Sequence, residues 1–155
     1  MRKKENKEWM ERAESVLQST EWNCPLFKNK CPLFTDEGKT TIYDSYNGQI
    51  AALGVSILMI GLKPTLAIYY QDAPKKEKDK VYRRALLEVI ARMLGCESAE
   101  SLVRYLLKGK EEFSDEEKEK LEQDEKKLKT DILNCSIALK QVIRTYKLEK
   151  DGEDK

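Results

Sequence analysis

The stretch from Ile42 to Ile60, IYDSYNGQIAALGVSILMI, decides the fold of this chain. Wound into a helix, it is apolar almost all the way round, with Tyr43, Tyr46, Ile50, Leu53, Ile57, Met59 and Ile60 spread over its surface. That pattern predicts a central helix buried on most sides. Gly61, then Lys63 and Pro64, is the glycine-then-proline punctuation that stops a helix, and Pro64 is placed to open a short one running to Tyr70.

Working outward, Trp9, Met10, Ala13, Val16 and Leu17 fall on one face of an N-terminal helix at about 100° per residue. The segment from about 19 to 40 shows no period and reads as a long loop insertion. It contains a short repeat, Cys24-Pro25-Leu26-Phe27 and Cys31-Pro32-Leu33-Phe34, whose apolar triplets are expected to tuck against the core. Gln71–Lys80 is a lysine-rich connector. Tyr82, Leu86, Val89, Ile90 and Met93 then recur at threes and fours, and Gly95 ends that helix. Ser98-Ala99-Glu100 opens another over 101–108, with Leu102, Val103, Leu106 and Leu107 inward and Gly109 as its stop. Ser114-Asp115-Glu116-Glu117 matches a capping box at the head of a long last helix expected to reach about Leu148. Almost no run alternates with a period of two, so a sheet is not expected. The fold class is all-α: a compact bundle of about six helices with a long C-terminal helix, forming one domain over 1–155.

Composition narrows the chemistry. The 155 residues are 40% apolar and 37% charged, which excludes collagen, a disulfide miniprotein and a membrane protein. The longest uncharged apolar run, Ile50–Leu62, is shorter than the roughly 18–20 residues that span a bilayer. The charged start Met1-Arg2-Lys3-Lys4 is followed by no apolar segment, so no signal peptide is expected and the protein reads as soluble and cytoplasmic. There is no histidine, which removes the usual general base, the Ser-His and Cys-His pairs and every imidazole metal site. Cys24, Cys31, Cys96 and Cys135 lack the C-x2-C spacing of a zinc knuckle and are expected as free thiols. The seven glycines are scattered, so there is no phosphate-binding loop. No catalytic residue, metal or cofactor is expected.

The net charge of +1 hides a pattern. Residues 39–110 carry +5, residues 111–125 carry −7 and residues 126–150 carry +5. The nine carboxylates of the acidic block point in several directions on a helix and suit its positive end better than a metal. If the last helix continues, Lys140, Arg144 and Lys147 lie within about 60° of Lys129, on the edge away from Ile132, Leu139 and Ile143. Lys129 to Lys147 spans roughly 27 Å, enough to follow several phosphates. On the helix after the connector, Lys76, Lys80, Arg83 and Arg84 form a second cluster provided that helix begins early enough. An anionic partner fits two such stripes, and so does ordinary solvated surface. The physical reading ends at a helical binding module.

In YDSYNGQIAALGVSILMIGLKPTLAIYY, Tyr43–Tyr70, the chain resembles the small helical subunit of the Cmr complexes, the type III-B CRISPR effectors. The resemblance lies in a tyrosine-led apolar helix, the Gly61-Leu62 break and the segment Pro64-Thr65-Leu66-Ala67 running on into aromatics. Glu11-Arg12-Ala13, Arg83-Arg84-x-Leu-Leu and Ala138-Leu139-Lys140-x-x-Ile-Arg144-Thr-Tyr146 extend it from about Glu8 to Leu148. It implies a non-catalytic subunit that lines guide and target RNA in several copies among other subunits of an antiviral ribonucleoprotein. The residues suited by chemistry to contact RNA are Lys80, Arg83, Arg84, Lys140, Arg144 and Lys147. The Cys-Pro repeat and the charged segment of about 108–127 depart from the family's shorter members. The other reading of the same stripes is a helical interaction adaptor that binds an acidic partner protein.

Overall fold

The computed structural model describes residues 3–19, 23–24, 27–28, 31–36, 38–73, 81–96, 98–107 and 115–150. Six α-helices dominate them: α1 (Lys3–Gln18), α2 (Asp44–Ile60), α3 (Leu62–Gln71), α4 (Arg84–Met93), α5 (Ala99–Leu107) and α6 (Asp115–Ile143). Four short strands accompany them: β1 (Asn23–Cys24), β2 (Phe27–Lys28), β3 (Thr41–Tyr43) and β4 (Lys147–Glu149). The expected all-α bundle with its long C-terminal helix is present. The connector residues 74–80, the stop at Gly109 and the Ser114 end of the capping box lie outside the described residues.

One buried cluster draws on every helix, including Ala13 and Leu17 of α1, Tyr46, Ile50, Leu53 and Ile57 of α2, and Ile132, Leu139 and Ile143 of α6. Eight of the ten residues of α4 are buried, so α4 rather than α2 is the most enclosed helix. α2 departs from its expected burial. Its inner stripe is fully covered, but Val55 is 58% exposed and Met59 79%. A helix that is apolar all round carries no polar side to mark which face turns outward, so the periodicity could not show this.

α6 runs beside α2 in the opposite direction. Glu125 Oε1 stands 2.9 Å from Lys63 Nζ just past the end of α2. A Cβ placed on Gly54 would lie 3.6 Å from Ser136 Oγ, and Arg144 Nε donates to Asn47 Oδ1 at 3.2 Å at the start of α2. A side chain at Gly54 would therefore meet α6 at ordinary contact distance in mid-helix. At Gly61, φ is +100°, a value that side chains other than glycine rarely adopt. The chain breaks there and resumes as α3, which the Ser56 and Thr65 hydroxyls tie back to α2 at 2.9 Å.

Two further expectations are corrected. The last helix stops at Ile143, not Leu148. Tyr146 packs edge-on against Phe34 with ring centroids 5.3 Å apart, and its hydroxyl donates to Glu14 at 2.5 Å and accepts from Gln18 at 2.9 Å. Those contacts hold the chain out of the helical path. It continues as β4, parallel to β3, with Thr41 opposite Lys147. The expectation of no strand thus fails over a few residues, because pairs this short leave no readable alternation. The second pair is β1 with β2, antiparallel with Cys24 opposite Phe27; Pro25 and Leu26 of the first Cys-Pro unit lie outside the described residues. The second unit behaves as expected, with Cys31, Leu33 and Phe34 all buried. Asp36 accepts the backbone N–H groups of Thr40 and Thr41 and the Thr40 hydroxyl, which turns the chain into β3 and holds its carboxyl below the usual range.

Candidate nucleic-acid interface

The end of the bundle where β3 enters α2 collects most of the basic residues singled out above. On one flank, α3 ends near the start of α4, and Tyr69 donates its hydroxyl to Gln49 O at 2.9 Å, which fixes α3 to the N-terminal half of α2. The Arg83 guanidinium lies 5.7 Å from the centre of the Tyr69 ring. Its backbone N–H donates to Asp72 Oδ2 at 2.8 Å, so Arg83 is anchored through its backbone while its side chain remains exposed. Tyr82, just before it, donates its N–H to the buried Tyr46 hydroxyl at 3.4 Å. Burial raises the pKa of that phenol.

Arg84 is placed differently. Its guanidinium sits 3.9 Å over the Tyr70 ring, and its Nε is 4.0 Å from Glu88 Oε1. Glu88 is 2% exposed and accepts the N–H of Ala99 at 3.2 Å, thereby capping the start of α5 together with Ser98. Burial pushes the Glu88 carboxyl up, while the Ala99 N–H, Arg84 and Arg92 hold it down. Arg84 therefore compensates a buried acid, and Arg83 offers the freer guanidinium of the pair. α4 begins at Arg84, so helical spacing cannot carry the cluster back to Lys80, which lies outside the described residues.

On the other flank stand Lys140, Arg144 and Lys147. Lys140 is half-buried on the last turn of α6, Arg144 is exposed just past its end beside Asn47, and Lys147 is exposed on β4. The single helical edge expected for the three residues is not what joins them, since the helix ends before Arg144. They share one end of the molecule because the turn at 144–146 brings β4 alongside β3. Arg83 and Arg144 thus flank the same first turns of α2 through Gln49 and Asn47, an approach across the fold that sequence spacing could not show. The positive end of the α2 dipole lies between them, partly offset by Asp44.

Two clefts lie elsewhere on the described surface. One, about 480 Å³, lies between α1 and the end of α4 and is lined by Arg12, Ser15 and Arg92 among others. Sequence reasoning did not single out Arg12 and Arg92 as a pair, because they belong to helices 80 residues apart in sequence. The Arg12 guanidinium is stacked 4.7 Å from the Trp9 ring centre. The other, about 370 Å³, lies between α1 and the end of α6 and includes Glu11, Glu14 and Thr145. Among the described residues no three His, Cys, Asp or Glu side chains converge as a metal would require. Cys31, Cys96 and Cys135 are free thiols, and burial pushes Cys31 and Cys135 up to about 12. No described helix is long and apolar enough to cross a membrane.

Neither a protein-family model nor a curated protein matches the sequence. The fold, however, matches a solved one: it superposes on a CRISPR-associated Cmr5 family protein from Thermus thermophilus with a TM-score of 0.56. The match covers 94% of this chain and 98% of that chain at 17% sequence identity. The fold likeness to a small Cmr subunit expected from Tyr43–Tyr70 is therefore present. At this identity it speaks for the fold and not for individual residues.

Proposed function

We propose that this chain is a non-catalytic, RNA-contacting small subunit of a type III-B CRISPR effector, working in the cytoplasm beside guide and target RNA, other subunits and further copies of itself. The observation that carries the reading is the fold likeness to a Cmr5 family protein over nearly the full length of both chains. The basic end of the bundle supports the RNA contact. Arg83, Arg144 and Lys147 are exposed there with Lys140 half-buried behind them, and Lys80 and Arg84 extend the same chemistry in sequence. Lysine and arginine presented without a base-reading groove suit backbone recognition, in which affinity comes from released counterions and carries little sequence preference.

Filter binding of the full chain to single-stranded RNA tests the reading. Retention of unrelated RNA sequences with similar affinity at low salt, weakening linearly in log salt, is the expected result. No retention at low salt would overturn the RNA contact, and tight binding to an acidic protein instead would favour the adaptor reading. Cleavage of the RNA that vanished on a point substitution in this chain would overturn the non-catalytic assignment.

A further inference from the structure

α1 divides its charges between two clefts. Glu11 and Glu14, with Lys7, line the one it forms with the end of α6. Arg12, Ser15 and Val16 follow one another at three and one along α1, turn to the neighbouring side, and line the other cleft together with Arg92 and Leu94. That second cleft measures about 480 Å³, within the range of small-molecule sites. Its described lining holds two guanidiniums and no carboxylate, whereas the first holds one ammonium and two carboxylates.

The fold holds both guanidiniums in place. Arg12 is exposed, and its guanidinium stacks 4.7 Å from the centre of the Trp9 ring instead of turning to Glu8 one turn back. Among the described residues it makes no ion pair. Trp9 packs on the core, so the stack fixes Arg12 at the rim of the cleft. Arg92 stands half-buried on the last turn of α4, a helix with eight of its ten residues buried. At Gly95 φ is +86° and a Cβ would meet nothing within 4 Å, so the wall beside Arg92 is open backbone. The N–H groups of Leu94, Gly95 and Cys96 take up the carbonyls of Ile90, Ala91 and Arg92. This removes much of the negative potential that a helix C-terminus would set against an anion.

We infer that this cleft binds a phosphomonoester carried on a small apolar or aromatic body. Each guanidinium is a planar fork that matches two oxygens at once. Two forks and the Ser15 hydroxyl offer more donors than the two oxygens of a carboxylate can use, while a phosphomonoester presents three terminal oxygens and close to two negative charges. The cleft extends beyond the space a phosphate needs, and Val16 and Leu94 supply an apolar wall for the attached group. The inference goes beyond the RNA reading, which rests on other residues at the start of α2.

Equilibrium dialysis of the full chain against phenyl phosphate tests it, with benzoate and inorganic phosphate as comparisons at equal ionic strength. Phenyl phosphate should bind once per chain and about tenfold or more tighter than either comparison, because only it joins the phosphate to an apolar body. Arg12→Gln and Arg92→Gln should each weaken it by about tenfold or more, and Arg12→Lys should recover only part of the loss, since the charge returns without the fork. Lys4→Gln, which removes an exposed charge from the first turn of the same helix, should leave binding unchanged. Circular dichroism checks the half-buried Arg92 variant, and the exposed Arg12 variant carries the test if that one unfolds. A short RNA with a 5′-phosphate, compared with its 5′-hydroxyl form, separates the two sources of such a group. A preference that disappears in Arg12→Gln assigns the cleft to strand ends, and equal binding of the two RNAs assigns it to free phosphorylated small molecules. No binding of phenyl phosphate at about 10 mM would overturn the inference. So would benzoate or inorganic phosphate binding as tightly, or a Lys4→Gln loss equal to that of Arg12→Gln. Failure of the parent chain to retain RNA with phenyl phosphate binding intact would refute the proposed RNA contact alone.

Discussion

α2 and α6 lie side by side in opposite directions, and the same rules of periodicity read them with different success. On α6, polar and apolar residues alternate in blocks of three and four, so Ile132, Leu139, Val142 and Ile143 could be assigned inward, and all four are buried. On α2 the residues are apolar on every side, and Tyr46 at 0% exposed shares a helix with Met59 at 79%. A contrast in polarity along the chain, rather than hydrophobicity itself, is what tells sequence which side faces in. Where the contrast vanishes, the neighbouring elements decide, and the uncovered side becomes a candidate for a partner.

The sharpest way to break this comparison is a pair of truncations on α2. Leu53→Ala, in the fully covered stripe, should cost about 2–5 kcal/mol in urea unfolding. Val55→Ala, two residues away on the outer side, should cost no more than about 0.5 kcal/mol at concentrations where the chain is monomeric. Equal costs would mean that the inner and outer sides have been assigned wrongly. The glycines of α2 sharpen the point at smaller scale. Gly61→Ala forces a side chain into the +100° backbone and should destabilise by about 1–3 kcal/mol. Gly54→Ala meets only ordinary contact at Ser136, and removing a glycine from a helix interior should stabilise by about 0.5–1 kcal/mol. A destabilised Gly54→Ala would show that α6 packs on Gly54 too tightly to admit a methyl group.

The third prediction carries the comparison to α4, where an acid lies on a buried face. The folded-state pKa of Glu88 is raised, so its contribution to stability is greatest below the ordinary carboxylate pKa and falls as pH rises through the raised value. Glu88→Gln keeps an acceptor for the Ala99 N–H and should flatten that part of the stability–pH curve. The thermal midpoint measured across the acid range checks this, and an unchanged curve would mean that Glu88 is not held up by its burial.

Much of the fold was legible. Glycines at 61 and 95, the serine at 98 and the threes and fours of four helices each marked a local preference that the tertiary structure kept. What was not legible depended on contacts distant in sequence. Tyr146 ends α6 because it reaches Phe34, Glu14 and Gln18, none of which spacing along α6 could reveal. The β3–β4 pair follows from that turn. The candidate site divides in the same way. Lysine and arginine were visible as chemistry, but Arg84 turned toward Tyr70 and Glu88 while Arg83 stayed outward, a choice made by α3 and α5. Arg83 and Arg144 flank the start of α2 because α3 and α6 pack on either side of it.

The most direct test of the central claim is the salt dependence of RNA binding for Lys140→Glu combined with Arg144→Glu. Both residues lie at the basic end of the bundle, Arg144 exposed and Lys140 half-buried; unfolding free energy should change by no more than about 0.5 kcal/mol for the exposed Arg144, and circular dichroism checks that the double variant stays folded. The double variant should bind unrelated single-stranded RNAs more weakly to a similar degree. Its plot of log affinity against log salt should be flatter by roughly 0.7 for each phosphate that the pair no longer neutralises. A folded double variant with the parent's affinity and salt slope would contradict the account, leaving this end of the molecule as ordinary solvated surface.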